Sequence, residues 1–199
     1  FIVENYTNEP GIRKFKELLF EIIGEINLNC LKNYETVELP IKISNDEIKC
    51  KYLKEKYEKI EKMIPLHSAI GVINGLWANG MGQGGIIPIE AKYFLSNTFM
   101  DLKLTGLQGD VMKESMAVAK TLSASLVDKK ILKTNVKIFD DTKMQGIHIH
   151  CPEGAVPKDG PSAGTAITCV LYSLLTNKKI KNTTAITGEI NLQGYVTAI

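Results

Sequence analysis

The stretch from residue 150 to residue 165 reads HCPEGAVPKDGPSAGT, and it decides how the rest of the chain is interpreted. Its three prolines and three glycines predict a rigid, tightly turned loop. The alternating run 146–151 before the loop predicts a strand, and the apolar run 163–176 after it predicts a buried helix. The loop therefore places one hydroxyl, that of Ser162, at or beside a helix N-terminus.

A helix N-terminus offers unpaired backbone N–H groups and the positive end of the helix dipole. Such donors stabilise the oxyanion of a tetrahedral intermediate, and the small residues Gly160, Ala163 and Gly164 leave room for a substrate backbone. From the residues alone, Ser162 is a nucleophile, a plain helix N-cap or part of an anion site. A P-loop is excluded because the chain contains no G-x-x-x-x-G-K-[ST] run.

The second part of the chain alternates strand-like and helical patterns. The apolar runs 69–76 and 86–94 flank a glycine-rich stretch and predict a hairpin. A helix is predicted from Asp110 to Val127, and further strands at 99–105, 135–139, 183–190 and 194–199. The fold class is therefore α/β (α+β), with a mixed β-sheet and packed helices.

The first part of the chain has a different texture. Helical spacing predicts a helix over 9–32 with Asn8 as a cap, and residues 33–45 are strand-like. Residues 46–64 are rich in Lys and Glu, with Asp46 as a candidate cap, and Pro65 bounds them. We therefore predict a helical segment and linker at 1–66 and a second domain at 67–199.

Composition argues against several classes of partner. The chain has 24 basic and 22 acidic residues, and Arg13 is its only arginine. Because lysine lacks the bidentate fork that reads base edges, sequence-specific nucleic-acid binding is not expected. The four cysteines form no C-x-x-C pair, so we expect reduced thiols in an intracellular compartment and no metal site. The apolar runs are too short to span a bilayer.

The run 152–164 closely resembles the active-site signature of the Lon protease family, and 186–190 resembles that family's second signature block. Further similarity lies at 75–78, 84–85, 89–90 and 105–115, so the resemblance covers most of 68–199. It implies a Lon-type proteolytic domain, a serine endopeptidase that degrades unfolded or regulatory proteins.

The resemblance also implies roles for individual residues. Ser162 matches the nucleophile of a Ser–Lys dyad, Thr187 a threonine that helps position the lysine, and Asp159 a residue of the nucleophile loop. The family's lysine would follow shortly after residue 199, so the chain is expected to be inactive as it stands. Two departures from the family pattern are the acidic residue Asp110 and an apparent insertion at Gln83.

Two other bases are present in the chain. Lys158 lies four residues before Ser162, but a solvated lysine keeps a pKa near ~10.4. His150 would serve a Ser-His-Asp arrangement if it reached Ser162. We favour the simpler interpretation that His148 and His150 are polar side chains on a half-exposed strand. An i, i+2 histidine pair without a third ligand does not predict a metal site.

Residues 6–13 resemble the end of an AAA+ ATPase module, in which the residue matching Arg13 senses bound nucleotide. The resemblance implies a homo-hexamer that needs ATP and Mg²⁺ only as the full-length protein, with neither bound by this chain. We expect unfolded or damaged protein substrates, and a mitochondrial matrix location in a eukaryote or the cytoplasm in a bacterium. The alternative is a catalytically inert Lon-like assembly or an anion-binding domain.

Overall fold

A computed structural model describes residues 1–7, 11–32, 40–56, 64–78, 84–152 and 158–197. The chain divides into two compact units, Phe1–Glu61 and Lys62–Ile199. This division falls close to the predicted junction at 65–67, while the assignment of the first unit to an ATPase stays a prediction.

The first unit is helical. It contains a π-helical turn at Val3–Thr7, helix α1 at Arg13–Lys32, and the short helix α2 at Asn45–Glu47, which continues as a π-helical turn at Ile48–Tyr52. Four buried residues form its small core: Tyr6, Leu18, Ile22 and Leu53. The predicted first helix is confirmed from Arg13 onward, and Asn8 lies outside the described residues.

Two expectations for the first unit are wrong. Residues 41–44 form no strand, while 33–39 lie outside the described residues. The cap of the Lys/Glu-rich segment is Ser44 rather than Asp46, because Ser44 and Glu47 form a capping box in which the backbone N–H of Ser44 donates to Glu47 at 2.8 Å. The helical turns end at Tyr52, and the next residue, Leu53, is only 1% exposed and belongs to the core of this unit.

The second unit is built on a mixed five-stranded sheet in the order β3-β4-β2-β1-β5. Its strands are β1 Val72–Ala78, β2 Gly84–Phe94, β3 Leu102–Thr105, β4 Gly146–His150 and β5 Ala185–Ile186. The β1–β2 and β2–β4 pairs are antiparallel, whereas β3–β4 and β1–β5 are parallel. The predicted hairpin and mixed sheet are confirmed. Strands β6 Glu189–Ile190 and β7 Val196–Thr197 form a separate antiparallel ribbon.

Among its described residues, the second unit also contains three α-helices: α3 Asp110–Leu126, α4 Lys129–Thr142 and α5 Gly164–Thr176. Helix α5 packs against β1, β2 and α3, and ten of its thirteen residues are buried. Its sequence is apolar on nearly every side, as a helix enclosed on all faces requires. The core is therefore a sandwich of one sheet face with α5 and α3, and it fixes the helix that begins beside Ser162.

The strand predicted at 135–139 is wrong, because these residues lie inside α4. The side chain of Asp128 caps this helix by accepting from the backbone N–H of Lys130 at 2.7 Å. Asn135 and Phe139 are buried four residues apart, which is the helical period. The alternation of polar and apolar residues over 135–138, which read Asn, Val, Lys and Ile, imitates a strand, and only the longer spacing shows the helix.

The single strand predicted at 183–190 is also wrong. The strand is interrupted at Gly188, and we call this interruption the break after β5. The φ of Gly188, +152°, is a conformation that other residues rarely adopt. Residues before the break pair with β1, and residues after it join the β6–β7 ribbon. The break redirects the chain toward Ser162.

The core account predicts different costs for two isoleucine truncations. Ile149 is fully buried in β4, so Ile149→Ala should lower the free energy of unfolding by about 2–5 kcal/mol. Ile138 on α4 is 40% exposed, and Ile138→Ala should change it by about 1 kcal/mol or less. Equal costs in chemical denaturation would contradict the placement of β4 in the core.

Candidate active site

Ser162 lies in a 3₁₀ turn, Pro161–Ala163, that leads directly into α5. The N-cap of α5 is Ala163, and no side chain caps that helix. The plain N-cap interpretation of Ser162 is therefore wrong. Ser162 is half-buried and precedes the first residue of α5 by two positions.

The second signature block holds the backbone of this turn. The N–H of Gly188 donates to the Ser162 carbonyl at 2.7 Å, and the Thr187 hydroxyl donates to the same oxygen at 3.2 Å. In return, Thr165 donates to the Gly188 carbonyl through its N–H at 3.0 Å and its hydroxyl at 2.8 Å. These four hydrogen bonds join the start of α5 to the break after β5. The structure thus brings Ser162 and Thr187 together.

Glycine is required at this junction for a steric reason. A Cβ on Gly188 would lie 2.5 Å from Val196 Cγ1 and 3.1 Å from Thr165 Oγ1. The left-handed φ adds a second obstacle to any other residue. Any other residue at position 188 would therefore strain the backbone and displace Val196.

Asp159 holds the other side of the loop. Its Oδ1 accepts from the backbone N–H of Met112 in the first turn of α3 at 3.0 Å and from Gly160 N–H at 2.9 Å. A carboxylate is stabilised at a helix N-terminus by the helix dipole. At Gly109 a Cβ would lie 2.3 Å from the carboxyl carbon of Asp159, so a glycine admits this contact. Asp159 thus anchors the loop to α3.

Lys158 is directed toward the chain segment before α3. Its backbone forms two hydrogen bonds with that segment, from its N–H to Leu107 and from Gly109 N–H to its carbonyl, at 3.0 and 2.7 Å. Its ammonium donates to the Gly106 carbonyl at 3.2 Å. The Lys158 side chain therefore helps to hold the loop against the segment before α3.

The two histidines share one partner on the neighbouring strand. The Thr105 hydroxyl lies 2.9 Å from His148 Nε2 and 2.8 Å from His150 Nδ1. His150 is thus engaged with β3 through this nitrogen. Burial lowers the pKa of His148, and the charges of Lys103 and His150 lower it further. This arrangement fits the interpretation of polar side chains on one face of β4.

The structure also places Arg13 and the four cysteines, which the sequence analysis singled out. Arg13 is exposed on α1 and pairs with Glu17 at 3.2 Å, in the first unit. All four cysteines are free thiols, and burial raises the pKa of Cys151 and Cys169. Among the described residues, no group of three His, Cys, Asp or Glu side chains is placed to hold a metal ion. In the same part of the chain no helix is long and apolar enough to cross a membrane.

Sequence reasoning missed two contributors to the site, Thr165 and Gly188. Gly188 lies inside the second signature block, at 186–190, and Thr165 follows the first block, at 152–164, by one residue. Nothing in either stretch indicates that the two residues are hydrogen-bond partners. Their hydrogen bond spans 23 residues, and no local pattern indicates a contact at that separation.

Comparison of the sequence with known proteins identifies a family. Residues 42–199 match the model of the Lon protease (S16) C-terminal proteolytic domain. The whole chain aligns with Lon proteases of Clostridium acetobutylicum, at 38% identity, and Campylobacter concisus, at 35%. It also aligns, at 38% identity, with a protein of Caenorhabditis elegans named Lon protease homolog 2, peroxisomal. The chain spans about a quarter of the length of these curated relatives, covering 24%, 25% and 26% of them.

The junction predicts a graded effect of two glycine substitutions. Gly188→Ala and Gly160→Ala both place a side chain at positive φ, which costs on the order of 1–3 kcal/mol. Only Gly188→Ala adds a clash, because the space around Gly160 is open. Thermal denaturation should show the larger loss for Gly188→Ala. Equal losses would contradict the close approach of Gly188 to Thr165 and Val196.

The histidine pair predicts a pH dependence of stability. Since the folded-state pKa of His148 lies below its ordinary value of 6.5, the unfolded chain binds a proton first as pH falls. The stability associated with neutral His148 is present above 6.5 and is lost as pH falls toward the folded-state pKa. Between about pH 8 and about pH 5, His148→Gln should therefore show a shallower loss of unfolding free energy than the wild type. An unchanged slope in denaturant titrations would contradict this assignment.

Proposed function

The chain belongs to the Lon protease (S16) C-terminal proteolytic domain family, and from this membership we propose that it is the peptidase part of an ATP-dependent serine endopeptidase with Ser162 as nucleophile. The observation that carries the proposal is the serine turn itself. Ser162 lies in the turn that leads into α5, and the N-cap of that helix is Ala163. Two hydrogen bonds hold the Ser162 carbonyl, from the Gly188 N–H and the Thr187 hydroxyl, and two more join Thr165 to the Gly188 carbonyl.

In the proposed reaction, Ser162 Oγ forms a bond to the scissile carbonyl carbon while a base takes the hydroxyl proton. The carbonyl oxygen becomes an oxyanion, and backbone N–H groups at the serine turn stabilise it. The C–N bond then breaks, the leaving amine takes the proton, and water hydrolyses the acyl-enzyme. In this proposal the base is a lysine that follows residue 199, with its pKa lowered by burial.

The contacts of the bases inside the chain support that assignment. Lys158 donates to Gly106, and His150 contacts Thr105 on β3. The Thr187 hydroxyl donates to the Ser162 carbonyl. We infer that this hydroxyl orients the turn that carries Ser162, in addition to helping to position the lysine. Asp159 acts on the loop through α3.

The edge of β1 provides a place for an extended substrate. Strand β5 pairs with β1 only at Asn74 and Gly75, and the chain then turns away through Thr187. Strand β1 continues to Ala78 and pairs there with β2 on its other side. We infer that a substrate strand adds to this edge beside Ser162, since extended peptides bind readily to exposed sheet edges.

For the whole protein we propose an attached AAA+ ATPase, a homo-hexameric assembly, and unfolded or damaged proteins as substrates. ATP and Mg²⁺ would serve the ATPase, and Arg13 would contribute a guanidinium to nucleotide sensing. Its present partner, Glu17, is an exposed neighbour on the same helix, and exposed ion pairs of this kind are weak enough to exchange. The proposed compartment is the mitochondrial matrix in a eukaryote or the cytoplasm in a bacterium.

The nucleophile is tested by cleavage of an unfolded protein by the full-length enzyme. Ser162→Ala should lower kcat by about 10³-fold or more, because the attacking atom is lost. Ser125→Ala is the matched control, and it should cleave at the wild-type rate. Among the described residues, the hydroxyl of Ser125 donates to the carbonyl of Leu122 within its own helix.

Two results would contradict the proposal. Undiminished cleavage by Ser162→Ala would place the nucleophile elsewhere. Absence of cleavage by a folded, assembled wild type supplied with ATP and Mg²⁺ would instead favour an inert Lon-like assembly or an anion-binding domain. A measurement of inorganic phosphate binding would then distinguish these two, because only the anion-binding domain should bind phosphate.

Thr187 permits a test of hydroxyl positioning. Thr187→Val keeps the shape of the side chain but loses the donor to the Ser162 carbonyl, so kcat should fall by about tenfold or more with little change in KM. Thr187→Ser retains the hydroxyl and should recover most of the activity. Equal activity of the valine and serine variants would show that the hydroxyl does not contribute.

A further inference from the structure

Two asparagine side chains hold the segment that leads from the sheet to Ser162. Asn74 on β1 is only 2% exposed. Its Nδ2 donates to the carbonyl of Asn182 at 2.7 Å and to the carbonyl of Thr184 at 3.1 Å. One buried amide therefore fixes two carbonyls that lie immediately before β5. We refer to residues 182–188 as the connecting segment.

Asn182 extends the same set of bonds in the other direction. Its Nδ2 donates to the carbonyl of Pro65 at 2.7 Å, and its backbone N–H donates to Ser68 Oγ at 3.4 Å. Nearby, the N–H of Ile180 donates to the Ala69 carbonyl at 2.9 Å. The start of the connecting segment is thus held between β1 and residues 65–69, near the beginning of the second unit.

The far end of the connecting segment is the part that binds the serine turn. Thr187 and Gly188 both donate to the Ser162 carbonyl. Between the bonded carbonyl of Thr184 and Thr187 lie only two residues, and each residue spans at most about 3.6 Å. If the hydrogen bonds of Asn74 and Asn182 are lost and the Thr184 carbonyl moves, Thr187 and Gly188 must therefore move as well, and with them the Ser162 carbonyl.

Strand pairing alone gives this segment little support. Strand β5 has two residues and pairs with β1 only at Ala185 and Ile186. Asn74 supplies two further hydrogen bonds to the same stretch from the side chain of the neighbouring strand. Its own Oδ1 is buried and, among the described residues, has no partner. A buried acceptor without a partner costs stability, so stability alone does not explain an asparagine at position 74. The two carbonyls that its Nδ2 holds in place do explain it.

We propose that Asn74 and Asn182 are positioning residues for Ser162, which set the connecting segment so that Gly188 and Thr187 hold the nucleophile turn. The proposal rests on the proposed function of Ser162 for its catalytic consequence. Its structural part, the control of the Gly188–Ser162 hydrogen bond, does not depend on activity.

The test compares Asn74→Ala and Asn182→Ala with Asn135→Ala in the full-length protein. Asn135 is the matched control, because it too is a buried asparagine of the second unit whose Nδ2 donates to a carbonyl, that of Leu175 at 3.0 Å. The first measurement is the rate at which a fluorophosphonate modifies Ser162, at a temperature where every variant is folded. The second is hydrogen exchange of the Gly188 and Thr165 amides.

Asn74→Ala and Asn182→Ala should each slow the modification by about tenfold or more, since small displacements of a nucleophile cost that much. Both should also accelerate exchange at Gly188 and Thr165. Asn135→Ala should lower the melting temperature while leaving the modification rate and those amides unchanged. If Asn74→Ala does not fold, Asn182→Ala decides, because its side chain is only partly buried.

Wild-type modification and exchange in both test variants would overturn the proposal, as would an equal effect of Asn135→Ala. If the wild type itself is not modified at Ser162, the proposed function fails, and the exchange measurement alone then decides whether Asn74 and Asn182 position the turn.

Discussion

The hydrogen bond from the backbone N–H of Gly188 to the carbonyl of Ser162, at 2.7 Å, is the constraint on which the site depends. It forces a break in the strand after β5 and a positive φ at residue 188. It also requires small residues where the two segments meet, since a Cβ on Gly164 would lie 3.3 Å from Ile190 Cγ2. The geometry of the turn that carries Ser162 thus depends on two backbone hydrogen bonds and on the short side chains of Thr165 and Thr187, which lose less conformational entropy on ordering than long side chains do.

A second attachment acts on the other side of the same turn. Asp159 binds the first turn of α3, and α3 packs against α5, the helix that begins beside Ser162. The buried face of α3 includes Met116 and Ala119, both fully inaccessible. Ser162 is therefore held between two helices of one core and the break after β5. The site is stabilised by the same burial that stabilises the unit, so its geometry is expected to persist as long as the core does.

The parts of this arrangement that could be predicted from the sequence are those with a local signal. Strand β4 at Gly146–His150 and helix α5 at Gly164–Thr176 followed from apolar patterns, while residues 153–157 of the loop predicted between them lie outside the described residues. Thr187 was assigned to the site only through the family resemblance, as a residue that helps to position a lysine. Its hydrogen bond to the Ser162 carbonyl was not predicted, because a contact across 25 residues leaves no periodic trace. Helix α4 was missed because four alternating residues imitate a strand, and its cap at Asp128 lies outside that window. The capping box at Ser44 was visible in principle, since Glu47 follows it by three residues.

The central claim is that Ser162 is the nucleophile of the full-length protein. The most direct measurement is to treat that protein with a peptide boronate and determine the structure of the complex. The account predicts a covalent bond from boron to Ser162 Oγ, with the peptide extended along the edge of β1. A boronate bound to another residue, or a peptide bound without a bond to Ser162, would contradict it.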